Sequence, residues 1–189
     1  LNDETRDRTF ATDIARYCEQ ERSPNAMSKE QWHHVQVAST FTDIGKVGPA
    51  QEPLTPKNEV VTRLYANRDP ASPTMTLEAF IQRTFADAQS LLSVIPSVEG
   101  LSTDMPMRSF WNKHPQWTLD HLRDSGIDPD VALTAAAHHM LEDEGANPQF
   151  DGTPLIDKAT GMLRGFGIER PIDHRDICVV LLYKYEANI

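Results

Sequence analysis

The strongest constraint on the fold is the apolar segment 131–141, which follows a complete signal for the start of a helix. Asp128 can cap the helix N-terminus, and Pro129 suits the first helical position because its missing N–H needs no partner there. Asp130 adds an acidic side chain to the first turn, where it interacts favourably with the helix dipole. The segment that follows is rich in alanine and leucine. We therefore predict a helix through residues 131–141.

Apolar residues recur at three- and four-residue spacings along most of the chain, which is the pattern of amphipathic helices. The segments concerned are 5–18, 29–41, 76–92 and 110–122, with a brief apolar island at 60–65 between prolines and an apolar run at 176–185. We favour a buried helix for the last run, although Val179 and Val180 would also suit a strand. Five glycines predict irregular backbone over 145–167. The fold class expected is all-α, a bundle of about six to eight helices.

Length and composition indicate one globular domain over residues 1–189. The net charge of -10 argues against a nucleic-acid surface, because such binding needs clustered lysine and arginine, and we expect no DNA partner. No segment approaches the roughly eighteen consecutive apolar residues that would span a bilayer, so we expect no membrane insertion. Cys18 and Cys178 adjoin apolar residues. This favours two buried thiols over a disulfide and indicates a reducing, cytoplasmic setting.

Two charged residues near the end of the second predicted helix are the first candidates for a functional site. Asp43 lies at the last helical turn, and Lys46 follows it beyond Gly45. In so acidic a chain, a phosphate ligand would have to be captured locally, by a bound metal ion or by a few placed cations. A solvated surface turn is the alternative interpretation, because charged residues are usually exposed.

Histidines provide the second and third candidates. His138 and His139 are adjacent near the end of the alanine-rich helix. Adjacent side chains on a helix point about 100° apart, so both can serve one site only where the helix ends inside the protein. Neutral, hydrogen-bonded core histidines are the alternative. His114 precedes Pro115 on another helical face, where His121 lies one heptad later and a surface pair is the competing interpretation.

The order of these residues resembles the HD-GYP family, whose pattern runs H…HDxGK…HP…HHExxDGxGYP…D. The matching positions are Asp43, Lys46, His114, Pro115, His138, His139, Asp143 and Pro148. The match extends through the helix that contains Ala11 and Ile14 to Pro171, and it covers nearly the whole chain. It implies an HD-domain helical bundle with insertions at about 66–105 and 149–170, where this chain is longer than the family pattern.

The resemblance also implies a reduced metal site. Asp3 and Thr42 occupy positions where the family has ligand histidines, and no acid is present over 181–183, where its final ligand aspartate would fall. The ligands left for a divalent transition metal ion (Fe, Mn, Zn or Ni) are Asp43, His114, His138 and His139, which suffice for one ion rather than two. By the same resemblance, Asp43 and Lys46 would act in catalysis, and Lys46 and Asp143 would bind substrate.

Two functions follow from this resemblance. The first is a divergent HD-GYP-type domain of cyclic-dinucleotide signalling, which binds metal and cyclic di-GMP, or a signalling-protein partner, with weak or lost phosphodiesterase activity. The second is an active metal-dependent phosphodiesterase acting on cyclic di-GMP or a related nucleotide. Thr42 and the missing final aspartate favour the first function, whereas Lys46 and the four remaining ligands favour the second. The chain resembles an excised domain, so we expect an accompanying sensor or receiver domain.

Overall fold

The computed structural model describes residues 16, 26–50, 55–67, 73–142 and 144–186. The described helices are α1 (Lys29–Phe41), α2 (Pro56–Ala66), α3 (Leu77–Thr84), α4 (Ala88–Val94), α5 (Met107–Trp111), α6 (His114–Leu122), α7 (Pro129–Ala136) and α8 (His174–Glu186). Short 3-10 turns lie at Ile44–Val47, Ile95–Ser97, Ala137–His139 and Glu144–Ala146. These helices account for most of the predicted periodic segments. The predicted first helix, over 5–18, lies outside the described residues apart from Arg16.

Helix α7 begins as its sequence predicts and ends earlier than predicted. The Asp128 carboxylate accepts hydrogen bonds from the backbone N–H groups of Asp130 and Val131 at 2.8 and 3.4 Å, and Pro129 is the first helical residue. The α-helix stops at Ala136, and the backbone tightens into the 3-10 turn Ala137–His139. The prediction of one helix through residue 141 was therefore wrong in its last turn.

The prediction of an all-α fold was also wrong, because the segment 149–171 forms antiparallel sheets. Strand β1 (Gln149–Phe150) pairs with β2 (Thr153–Pro154), and β3 (Ile156–Asp157), β4 (Met162–Gly165) and β5 (Ile168–Pro171) form a three-stranded sheet in that order. Two of the five glycines that suggested irregular backbone, Gly152 and Gly167, instead lie in hairpin turns. In the first turn φ is 50° at Asp151 and 78° at Gly152, and in the second it is 54° at Phe166 and 76° at Gly167. Positive φ at both positions of a two-residue loop is the geometry of a type I′ hairpin turn.

Three apolar clusters form the core of the described residues. The first joins α2 to α3, α4 and α5 around Leu64, Phe80 and Phe110. The second joins α1, α7 and α8, and the third joins α6, α7 and α8 to the three-stranded sheet around Leu163. Helix α7 contributes to the second and third clusters, so it is buried on several sides. Its C-terminal end therefore lies inside the protein.

A buried ionic network fixes the sheet to the helices. Asp176 on α8 has no exposed surface, and its carboxylate accepts hydrogen bonds from both terminal nitrogens of Arg170 on β5, at 2.6 and 2.9 Å. The Nε of Arg170 also donates to Asp130 in the first turn of α7. Thr134 on α7 donates to Asp176 at 2.8 Å. The network thus joins β5, α7 and α8 through hydrogen bonds that involve charged groups.

Two further expectations can be compared with the described residues. No helix among them has both the length and the apolar character needed to cross a membrane. Cys178 is half-buried, whereas Cys18 lies outside the described residues.

Candidate metal centre

Three buried histidines meet where α6 begins and α7 has just ended. His114 is the first residue of α6, and His138 and His139 close the 3-10 turn after α7. Each ring offers one nitrogen, and these nitrogens all lie within 4.8 Å of one another. The exposed fractions are 2% for His114, 0% for His138 and 7% for His139. Three neutral imidazoles converging in this way can hold a metal ion.

The hydrogen bonds of two of these rings fix the direction of their lone pairs. The Nδ1 of His114 lies 2.8 Å from the carbonyl oxygen of Trp111, and the Nδ1 of His138 lies 2.6 Å from that of Ala135. A carbonyl oxygen only accepts, so both Nδ1 atoms donate. In a neutral ring the Nε2 atom then carries a lone pair.

These two lone pairs face each other. The Nε2 atoms of His114 and His138 are 2.9 Å apart. Two acceptors cannot form a hydrogen bond without a proton between them, and the burial of His138 lowers its pKa to about 4, which opposes protonation. A metal ion would satisfy both lone pairs, and a metal-bound histidine commonly donates its other ring N–H to a backbone carbonyl. The geometry of this pair therefore fits a metal site.

His139 is the third histidine of the group. Its Nε2 lies 3.0 Å from the hydroxyl oxygen of Tyr183, and its Nδ1 is buried without a hydrogen-bond partner, 3.8 Å from Oε1 of Glu142. Burial, followed by the proximity of His138 and His114, holds the pKa of His139 well below its usual range. His139 is therefore a neutral imidazole, the protonation state that a metal ligand requires.

Asp43 lies next to this group. Its Oδ1 is 3.6 Å from Nε2 of His114 and is buried without a hydrogen-bond partner, while its Oδ2 accepts from Nζ of Lys46 at 2.5 Å. The structure thus brings three of the four predicted ligands into one group and places the fourth beside His114. The four-ligand set remains a prediction.

Gly45 explains how the turn that carries Asp43 and Lys46 comes so near the histidines. A Cβ atom on Gly45 would lie 2.1 Å from the carbonyl oxygen of His114 and 2.5 Å from the backbone nitrogen of Thr118. The Gly45 N–H donates to the Thr118 hydroxyl at 3.1 Å, and that hydroxyl donates to the carbonyl oxygen of Thr42 at 2.9 Å. Only glycine lets this turn lie directly on α6.

A cavity of about 230 Å³ opens beside the histidines. Its walls include the basic side chains of Lys46, Arg108 and Lys184, together with two of the site histidines, Tyr65, Trp111, Glu142 and Tyr183. Three cations around one small cavity contrast with the net charge of -10 of the whole chain. Two of these cations are paired with carboxylates, Lys46 with Asp43 and Lys184 with Glu142, so the cavity is lined by charges of both signs.

Several predicted residues have other places or roles. The hydroxyl of Thr42 donates to the carbonyl oxygen of Ser39 at 3.2 Å, which is a local structural bond. His121 does not form the suggested pair with His114, since its Nε2 lies 2.8 Å from the carbonyl oxygen of Gly48. Asp143 lies outside the described residues. Asp3 does so as well.

Sequence reasoning missed Tyr183 and Glu142 as neighbours of the histidines. Tyr183 lies at the end of the stretch 181–183, which was noted only for having no acid. Its phenol ring is 4.6 Å from the ring of His138 and 4.9 Å from that of His139, between ring centroids. Glu142 follows His139 by three residues, a spacing that places two side chains on the same side of a helical turn. That spacing was the available sequence signal.

Comparisons with known proteins give no relative for this chain: no family model, curated protein or solved structure matches it. The resemblance to the HD-GYP family therefore depends on the sequence blocks described above.

Proposed function

We propose that this domain binds one divalent transition metal ion through His114, His138 and His139, with Asp43 as a further ligand. The observation that supports the proposal best is the pair of Nε2 atoms 2.9 Å apart on rings whose Nδ1 atoms both donate to carbonyl oxygens. Iron, manganese, zinc and nickel all suit imidazole with carboxylate, and these ligands do not select sharply among them.

The function proposed for this centre is that of a divergent HD-GYP-type domain of cyclic-dinucleotide signalling with weak or lost phosphodiesterase activity. The order of its motif residues and the cations around the cavity both support a phosphate-containing ligand. Arg108 would receive the phosphate charge, and Lys46 and Lys184 would do so by exchanging their carboxylate partners, Asp43 and Glu142, for the phosphate. When bound, a single ion supplies Lewis-acid polarisation of a phosphoryl oxygen, but it cannot clamp both the attacking and the leaving oxygen as two ions do. Low turnover follows from that limit.

The surroundings of Thr42 support one ion rather than two. A second ion would need a ligand at this position, but the Thr42 hydroxyl donates to a backbone carbonyl within its own helix turn. Its side chain is also 4% exposed, and its own carbonyl oxygen accepts from Thr118. Thr42 therefore has a structural role that is already satisfied by the protein.

The alternative is an active phosphodiesterase, and the position of Lys46 favours it. Lys46 lines the cavity together with His114 and His139, and its Nζ contacts the Asp43 carboxylate. A lysine in this place can neutralise a phosphate oxygen or a leaving group, while Asp43 holds it there through an ion pair. Loss of turnover on Lys46→Ala, with ligand affinity retained, would assign Lys46 to the chemistry.

One experiment tests both candidates. The chain is expressed with each of the four metals supplied in turn, its metal content is measured by mass spectrometry, and cyclic di-GMP binding and hydrolysis are then assayed. We expect about one ion per chain, binding of the nucleotide and little hydrolysis. His139→Ala should lose the ion, and His33→Ala, an exposed histidine on α1, should retain it. Turnover comparable to that of a two-metal enzyme would favour the alternative. A wild-type chain without metal after every growth would refute the metal centre.

A further inference from the structure

Tyr183 is an aromatic side chain whose hydroxyl is in direct contact with a site histidine, His139. It is 9% exposed and reaches the site from α8, whereas the histidines come from α6 and the end of α7. We propose that Tyr183 supplies an oxygen ligand to the metal ion, so that the centre combines three imidazoles with one phenolate. This inference rests on the proposed function, because it requires an ion held by the histidines.

Two of the three rings have hydrogen bonds that indicate which nitrogen faces the ion. His114 and His138 direct Nδ1 to backbone carbonyls and Nε2 to each other. A carboxylate or carbonyl beside the second nitrogen is the usual surroundings of a metal-bound histidine. His139 differs, because its Nδ1 has no hydrogen-bond partner and lies 3.8 Å from the carboxylate of Glu142. Its Nε2 is the nitrogen that meets the Tyr183 hydroxyl, and we take Nε2 as the ligand atom.

The Tyr183 hydroxyl lies on the same side of His139 as that nitrogen. Its oxygen is 3.0 Å from Nε2 of His139, and the other short contact of the site is the 2.9 Å between the Nε2 atoms of His114 and His138. Ligands at right angles around an ion with bonds of about 2.0–2.1 Å are themselves about 2.9 Å apart. Both contacts therefore have the length expected between neighbouring ligand atoms of one ion.

Charge balance supports an anionic oxygen at this position. The three histidines are neutral ligands, and the negative charge of Asp43 is already paired with Lys46 at 2.5 Å. On coordination, the O–H bond of Tyr183 breaks, an oxygen–metal bond forms and the proton leaves to solvent water. The phenolate then contributes one negative charge to the centre. An ion held by the three imidazoles and by Asp43 alone would keep part of its charge uncompensated in a buried site.

A simple orienting role is the competing account of Tyr183. In that case its hydroxyl would only hold the His139 ring through a hydrogen bond, and metal bound by the histidines would have no contact with the phenol. The two accounts differ in spectroscopy, because only a phenolate bound to iron(III) gives a ligand-to-metal charge-transfer band in the visible region. The test below therefore uses spectroscopy and iron content and does not depend on turnover.

The chain is loaded with iron(II) without oxygen, oxidised in air, and examined by visible absorption, resonance Raman scattering and iron analysis. We expect a charge-transfer band with tyrosinate ring modes in the wild type. Tyr183→Phe should lose the band and keep most of its iron, because the three imidazoles remain. Tyr65→Phe is the matched control, since Tyr65 packs edge-on against His114 at 5.7 Å but donates its hydroxyl to the carbonyl oxygen of Phe110. It should keep the band.

Each other outcome overturns the proposal. Iron bound to the wild type without the band, or a band that persists in Tyr183→Phe, rejects Tyr183 as a ligand and leaves the histidine centre standing. A wild type that binds no iron rejects both. If Tyr183→Phe does not fold, as circular dichroism would show, the Tyr183 side chain is replaced by 3-fluorotyrosine, which keeps the hydroxyl. The energy of the band should then shift, and an unchanged band rejects the proposal.

Discussion

Gly45 lies so close to His114 that a Cβ atom at position 45 would be 2.1 Å from the His114 carbonyl oxygen. That contact brings the turn carrying Asp43 and Lys46 against the first residue of α6, where the histidine ring enters the site. The added Cβ would be fixed directly to the backbone of the turn, and the His114 oxygen belongs to the backbone of α6. No change of side-chain rotamer could therefore relieve the overlap.

Gly45→Ala should therefore destabilise the domain and weaken metal binding. Overpacking of this kind costs about 1–3 kcal/mol, to be measured by urea unfolding of the metal-free chain. Metal affinity should fall as well, because the displaced turn carries Asp43. Gly126→Ala is the control: Gly126 has φ of 80° and open space around its Cβ position, so it should lose about 1 kcal/mol and no metal affinity. Equal affinity losses in the two variants would contradict the argument.

Metal binding should stabilise the folded chain by an amount that rises with the logarithm of the free metal concentration above the dissociation constant. An ion that binds only the native state adds about 2.7 kcal/mol at a free concentration one hundred times the dissociation constant. The melting temperature should rise on metal addition and fall with a chelator. His138→Ala should lose this response, since it removes one of the two facing Nε2 atoms, and His33→Ala should retain it. A response that survives in His138→Ala would place the ion elsewhere.

The metal-free chain should lose stability as the pH falls below about 6.5. Burial lowers the pKa of His138 to about 4 from an unfolded value of 6.5. Between these two values the unfolded chain binds a proton that the folded chain does not, so the free energy of unfolding decreases with decreasing pH. The His138 contribution between pH 7 and pH 5 is on the order of 2 kcal/mol. Burial also lowers the pKa of His34, which acts in the same direction.

Denaturant unfolding at pH 7 and pH 5, in the presence of chelator, measures this dependence. His33→Gln should leave the difference unchanged because His33 is exposed. His138→Gln should reduce it, since glutamine does not titrate. A wild-type chain with equal stability at both pH values would show that His138 can be protonated in the folded state.

Removing one partner of the buried network should be costly. Arg170→Ala leaves the carboxylate of Asp176 buried with its two guanidinium bonds gone, and such losses typically cost about 3–5 kcal/mol. Arg164→Ala is a suitable control, because Arg164 pairs with the exposed Glu169 at 3.0 Å on the same sheet and exposed pairs contribute about 1 kcal/mol or less. Similar melting temperatures for the two variants would contradict the assigned role of Asp176.

The sequence predicted helix positions well where caps and periodicity agree. Asp128 caps α7 as expected, and α3 begins at the start of a predicted periodic segment, where the Thr76 hydroxyl accepts from the backbone N–H of Ala79 at 3.2 Å. The strands were missed because the glycines of 145–167 were interpreted only as chain breakers. The dipeptide Asp151-Gly152 is a strong hairpin signal, and it was not used.

The histidines were found from sequence, whereas their detailed arrangement was not. His138 and His139 were expected at an internal helix end, and both are buried there. No local pattern could show that α7 tightens before them, because the change from α-helix to 3-10 turn depends on packing around the chain. The contact with Tyr183 joins residues 44 positions apart, and it becomes visible only once α8 lies against the end of α7.

The shortness of α7 gives it a mechanical role. It has eight residues and so extends about 12 Å, with Asp130 of the ionic network in its first turn and His138 just beyond its last. A helix of this length is stiff, so a displacement along its axis at one end also moves the other end. A displacement of Arg170 on β5 would therefore be transmitted along α7 toward His138, so that the sheet and the histidine group are mechanically connected.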